Sequence, residues 1–257
     1  MLSSEPTLAL LRWAFVVVVF FVLPLVDRGV AQRLRRFSSE AGRIRMLRLS
    51  VVSGWCAAVA AVALAWPVDL MRVPSAVDGL FAHPAARAVA GLLVAAAFAF
   101  SFGMGLRIAT RSAARRRLAE SLRPMSFMLP VTRRERAWWV LVSLTAGVCE
   151  EIFSRGFLLQ FLAGRVAGGL ALPLLAACVL SSLLFGVAHV YQGAAGVVRA
   201  TVAGLLLALL ALLTGSLVLP IVLHALADLQ TLWMYRPLED DPERARRLVD
   251  GCGPSAA

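Results

Sequence analysis

The chain reads as an all-α membrane protein, a polytopic transmembrane helical bundle of seven or eight spans. Three observations predict this: a mean hydropathy of +0.80, a 60% share of hydrophobic residues over 257 positions, and apolar runs that recur along the chain between arginine-rich connections. A soluble domain is nearer half apolar, and a helix needs about 20 apolar residues in succession to cross a bilayer.

The runs that qualify are 8–26, 47–66, 86–106, 137–162, 169–191, 196–213 and 216–234. The first is too long for the apolar stretch of a signal peptide and lacks a small-x-small cleavage site, so it reads as a retained span. Net charge is +11 and lysine is absent. The arginines gather in the connections: 27–46 carries Arg28, Arg33, Arg35, Arg36, Arg43 and Arg45, and 107–136 carries a denser set from Arg107 to Arg136. Positive charge marks cytosolic loops. The expectation is therefore a multi-pass protein of the plasma membrane, N-terminus outside and C-terminus inside, with membrane lipid as its surroundings. A basic charge spread over loops, without one stacking groove, argues against nucleic acid as a partner.

The division that follows is 1–106, N-terminal helices; 107–136, a basic linker; 137–234, a functional core; and 235–257, a short cytosolic tail. The linker mixes its arginines with Leu118, Leu122, Met125, Phe127 and Met128, and reads equally as an amphipathic segment in the headgroup layer or as a plain basic loop. Cys56, Cys149, Cys178 and Cys252 have no CxxC spacing and read as small, mostly buried apolar residues.

An ionisable side chain within the bilayer costs at least about 2.5 kcal/mol, so a cluster of them marks function. Such a cluster lies in the second half: Glu150, Glu151 and Arg155 in TAGVCEEIFSRG, His189 in SSLLFGVAHV, and His224 with Asp228 in LPIVLHALADL. In the first three spans Arg12 and Arg87 stand out, both near ends where an arginine can snorkel to the headgroups. Only i, i+3 and i, i+4 residues share a helix face. Glu151 and Arg155 therefore form a supporting ion pair, which leaves Glu150 as the free carboxylate able to take a proton from water. The same spacing joins Phe185 to His189, and His224 to Asp228, which can fix the tautomer of that imidazole. Gly186 allows another helix to approach closely. Counted by rise per residue, Glu150 falls near mid-membrane and His189 near a span end, a mismatch in depth.

ExxxR preceded by Glu (EEIFSR), FxxxH (FGVAH) and HxxxD (HALAD), in that order on successive apolar segments, resemble the motifs of the type II CAAX prenyl endopeptidases and their bacterial relatives, the CPBP or Abi family of intramembrane metalloproteases. The resemblance covers roughly 137–234. It implies a membrane-embedded peptidase acting on a peptide or membrane-protein substrate. Glu150 with His189 would activate water, and His224 with Asp228 would hold the substrate carbonyl and its oxyanion. Glu151 and Arg155 fall on supporting positions. The cofactor is open between zinc, held by Glu150, His189 and His224 with a place left for water, and none, the same residues serving a metal-free glutamate protease. One position departs from the pattern: the prenyl-protein peptidases commonly carry Asn where this chain has Asp228, and an ionised Asp cannot donate to an oxyanion. Three other readings compete: a non-catalytic scaffold or bacteriocin self-immunity protein of the same fold, a proton-coupled transporter, and a Cys149 nucleophile. A peptidase needs Glu150 and His189 within reach of one water, whereas a proton relay would spread them along the membrane normal.

Overall fold

The computed structural model describes residues 4–36, 39–73 and 83–236; the expected tail beyond 236, with Arg244, Arg246, Arg247 and Cys252, lies outside the described residues. The described chain is helical apart from its connections and one isolated bridge between Arg72 and Ser216. Five helices are long and apolar enough to cross a membrane: α1 (Pro6–Arg35), α2 (Glu40–Ala65), α3 (Pro84–Thr110), α5 (Arg133–Leu162) and α7 (Ala194–Thr214). Two shorter apolar helices, α6 (Leu174–Ala188) and α8 (Val218–Met234), complete the set, and α4 (Ser112–Ser121) lies in the basic linker.

Local chemistry sets the helix ends. Ser39 caps α2 by accepting from the Gly42 amide, and Trp66-Pro67 follows its last turn. Pro84 opens α3 at a position where its missing N–H costs nothing. Thr132 and Glu135 form a reciprocal capping box at the start of α5. Helix α7 stops at Gly215, which takes the left-handed conformation (φ 68°) that glycine adopts without penalty.

Leu10, Leu25, Val59, Leu92, Phe100 and Val198 all point outward, as helices solvated by lipid require. Inside, Phe15 and Phe20 of α1 pack edge-on against Phe157 and Phe153 of α5, and Ala57 and Ala61 of α2 join the same cluster. Two glycines bring backbones together. A Cβ on Gly147 would lie 2.8 Å from the Ala225 Cβ and 2.9 Å from the Ile221 carbonyl oxygen, which seats α8 on α5. A Cβ on Gly186 would lie 2.8 Å from the Val197 carbonyl oxygen, so the close approach expected there is made by α7.

Two sequence expectations are corrected, and the linker, read two ways, gains packing partners. The fifth apolar run is helical only over Leu174–Ala188, because Pro173 and the turns before it hold 169–173 out of the helix. Arg12 does not snorkel: it is 4% exposed, and its guanidinium donates to the carbonyl oxygens of Leu64 (2.7 Å) and Ala167 (2.9 Å). In the basic linker, Met125, Phe127 and Leu129 are buried within the protein rather than laid on the headgroups, with Phe127 packed on Ala31 and Leu34. The arginine-bearing face of α4 stays exposed. This linker is fastened by a buried ion pair, Arg43 to Glu135 at 2.6 Å, whose second carboxylate oxygen accepts from the Val131 and Thr132 amides.

Candidate active site

Glu150 and Glu151 are the last residues before α5 loosens into a π-helical segment, Ile152–Leu158. Such wide turns interrupt α-helices mostly where a site needs side chains re-aimed. Arg155 lies within this segment and still reaches back to Glu151, its Nη1 2.9 Å from Oε1; its Nη2 donates to the Gly204 carbonyl of α7 at 3.1 Å. Both side chains are fully buried. The guanidinium also lies over the Phe185 ring at 4.3 Å.

Glu151 Oε1 accepts a second bond, from His224 Nδ1 at 2.8 Å. The imidazole is therefore oriented from α5, by Glu151, and not by Asp228: the Asp228 carboxylate lies 3.9 Å from the opposite ring nitrogen, Nε2. Asp228 is instead held through its backbone, whose carbonyl accepts from Trp139 Nε1 at 3.2 Å. On α6, the His189 Nδ1 lies 2.8 Å from the Phe185 carbonyl oxygen. A carbonyl can only accept, so the proton sits on Nδ1 and the His189 Nε2 is left with its lone pair. Phe185 wedges the site, 4.7 Å from the His189 ring and edge-on to His224 at 6.1 Å.

The two Nε2 atoms converge on one oxygen. Glu150 Oε2 lies 3.9 Å from His189 Nε2 and 3.9 Å from His224 Nε2, and has no direct hydrogen-bond partner. That gap is too long for a hydrogen bond and suits one bridging water. The two side chains meet despite the depth mismatch counted along the sequence: α6 ends at Ala188, and His189 sits in the turn after it, beside Glu150. Helical spacing separates Glu150 from Glu151, and the structure sends them to different partners accordingly. Cys149 is fully buried between α5 and α2 and faces Gly54.

The donor set of Glu150, His189 and His224 has the chemistry of a zinc site, with each Nδ1 tied down by an acceptor as in many metal-binding histidines. Its spacing does not match. Among the described residues no three His, Cys, Asp or Glu side chains are arranged to hold a metal ion, and the 3.9 Å separations exceed the roughly 3.3 Å between ligands bonded tetrahedrally at about 2.05 Å.

The site opens into a cavity of about 630 Å³ that runs along α5 from Trp139 past Glu150 to Phe153. Sequence reasoning missed several polar residues of its wall, Asp27 and Tyr191 among them. Asp27 of α1 counts in the sequence as the edge of a basic loop, yet it faces this cavity. Tyr191, which follows His189, stacks on the imidazole at 5.9 Å. Apolar residues of the linker, Leu118, Leu122, Met125 and Phe127 among them, line part of its wall.

Residues 132–230 match the family model described as type II CAAX prenyl endopeptidase, Rce1-like. No curated protein and no solved structure matches the chain. The match begins at the cap of α5 and ends at the Gln230 break in α8, and so includes Glu150, Glu151, Arg155, His189, His224 and Asp228. It points to a CAAX-type intramembrane protease fold, which the membrane-length helices suit. Over this region the chain is similar to the Rce1-like type II CAAX prenyl endopeptidases, consistent with a protein of the CPBP family.

Proposed function

We propose that the protein is an intramembrane endopeptidase in which Glu150 activates a water for attack on a peptide bond. The observation that carries this reading is the convergence of His189 Nε2 and His224 Nε2 on Glu150 Oε2, each at 3.9 Å, at the wall of a cavity large enough for a peptide segment. A water between Glu150 and His189 gives one proton to the carboxylate while the lone pair of His189 Nε2 accepts its other O–H. Its oxygen adds to the substrate carbonyl carbon. As the C–N bond breaks, Glu150 returns the proton to the departing nitrogen, leaving one carboxyl and one amine product.

The oxyanion of the tetrahedral intermediate needs a donor. His224 can supply one from Nε2 as an imidazolium, since its Nδ1–H remains engaged by Glu151. Asp228 lies 3.9 Å from that Nε2, too far for a direct hydrogen bond, and cannot itself donate to the oxyanion while ionised. Glu151 and Arg155 are positioning residues. No step is routed through a metal, and chelation is expected to leave activity unchanged. In this reading the linker-lined end of the cavity is cytosolic, with the protein in the plasma membrane and its N-terminus outside; the Arg-rich connections around Arg28–Arg45 and Arg107–Arg136 support it.

The test is cleavage of candidate peptides by purified protein in liposomes, comparing wild type with Glu150→Gln and His189→Ala. Both variants should lose turnover. Full activity in both would overturn the reading.

A further inference from the structure

Asp27 stands apart from the rest of the site. It comes from α1, outside the region 132–230 that matches the family model, yet it lines the same cavity as Glu150, His189, His224 and Asp228. It lies within Coulombic range of His189 and Glu150. The α1 segment that carries it, Leu23–Arg36, packs against the turn Val190–Gln192 that follows His189. Its side chain is exposed toward the cavity, and among the described residues it makes no ion pair or hydrogen bond.

Three carboxylates, Asp27, Glu150 and Asp228, therefore face one space. The guanidinium on the same wall, Arg199 of α7, turns to the Met125 sulfur at 3.7 Å rather than to any of them. Arg155, the cation that does lie near the site, is consumed by Glu151 and Gly204. The wall between the carboxylates is mostly aliphatic and aromatic, and its low polarizability extends the reach of each charge.

We infer that Asp27 is a specificity-determining residue that selects peptides with a basic side chain beside the scissile bond and rejects those with an acidic one. This deepens the endopeptidase reading and rests on it. In the proposed mechanism Glu150 works on the water and Asp228 stands beside His224 Nε2; Asp27 has no such work and is the carboxylate left to meet the substrate. A lysine or arginine entering the cavity gains the attraction of these carboxylates, and a glutamate there meets three like charges.

The test uses the full-length protein in neutral-lipid liposomes at low salt and above neutral pH, with three matched peptides carrying Lys, Gln or Glu beside the scissile bond. Wild type should favour Lys over Glu by about tenfold or more in kcat/KM. Asp27→Asn should compress that ratio severalfold while the Gln peptide keeps its rate within about twofold, and Asp27→Lys should invert it. An equal loss on all three peptides would mark a merely structural residue and overturn the inference, as would an unchanged ratio. Binding of the same labelled peptides to Glu150→Gln, with and without Asp27→Asn, separates the two readings. A charge preference in binding that follows Asp27, with no cleavage by wild type, rejects the endopeptidase and keeps the subsite; no charge preference in either assay rejects the subsite.

Discussion

Replacing Arg155 by Met removes the guanidinium bonded to the fully buried Glu151 carboxylate. Glu151 is 0% exposed and Arg155 1%, so solvent cannot take over. The change deletes the 2.9 Å bond to Glu151, the 3.1 Å bond to the Gly204 carbonyl, and the guanidinium over Phe185. Breaking a buried pair by removing one partner costs about 3–5 kcal/mol, most of it the penalty on the charge left behind. His224 remains as a donor to Glu151 and keeps the cost from rising further. If this account is right, the double variant Glu151→Gln/Arg155→Met, which leaves no orphaned carboxylate, should recover about 1–3 kcal/mol of that loss. Equilibrium unfolding of the detergent-solubilised protein, followed by circular dichroism, measures both. A single variant within about 1 kcal/mol of wild type would refute the reasoning. So would a double variant less stable than the single.

Glu150→Gln should lower kcat by about 10²–10⁴-fold and leave the unfolding midpoint nearly unchanged, because Glu150 Oε2 has no direct bond to lose; cleavage and thermal melts check the two halves. Gly147→Ala drives a methyl into Ala225 and the Ile221 carbonyl and should cost about 1–3 kcal/mol. It should reduce turnover further still, since it pushes α8 and its His224 away from α5, and kcat measured beside stability will show the split. Phe185→Ala empties the wedge beneath Arg155 and between the two imidazoles; a loss of about 3–5 kcal/mol is expected, readable in the same unfolding assay.

Much of the site was legible in the sequence because charge in an apolar segment is costly enough to be conspicuous. Glu150, Glu151, Arg155, His189, His224 and Asp228 stand out for that reason alone, and i, i+4 spacing is enough to anticipate the Glu151–Arg155 contact. Partners on different helices were not legible. Nothing local to HALAD says that His224 turns its Nδ1 to Glu151, 73 residues away, rather than to Asp228 four residues on. Arg12 and Arg43 were read as loop or end charges because arginines near span ends usually reach water; here Arg12 caps backbone carbonyls of α2 and the 163–173 connection, and Arg43 meets Glu135 in the interior.

The sequence by itself determined that the chain is a bundle of apolar helices, roughly where those helices lie, and which side chains are candidates for the chemistry. These follow from short-range causes: the desolvation penalty, helical periodicity, and the chemistry of proline, glycine and capping residues. Only the tertiary structure decided that α6 ends at Ala188 and that His189 meets Glu150 at 3.9 Å. It also decided that Asp27 of the first helix faces the same cavity. Those facts depend on how separate helices pack, through glycine contacts such as Gly147 on Ala225, and packing across helices leaves no periodic trace in any one of them.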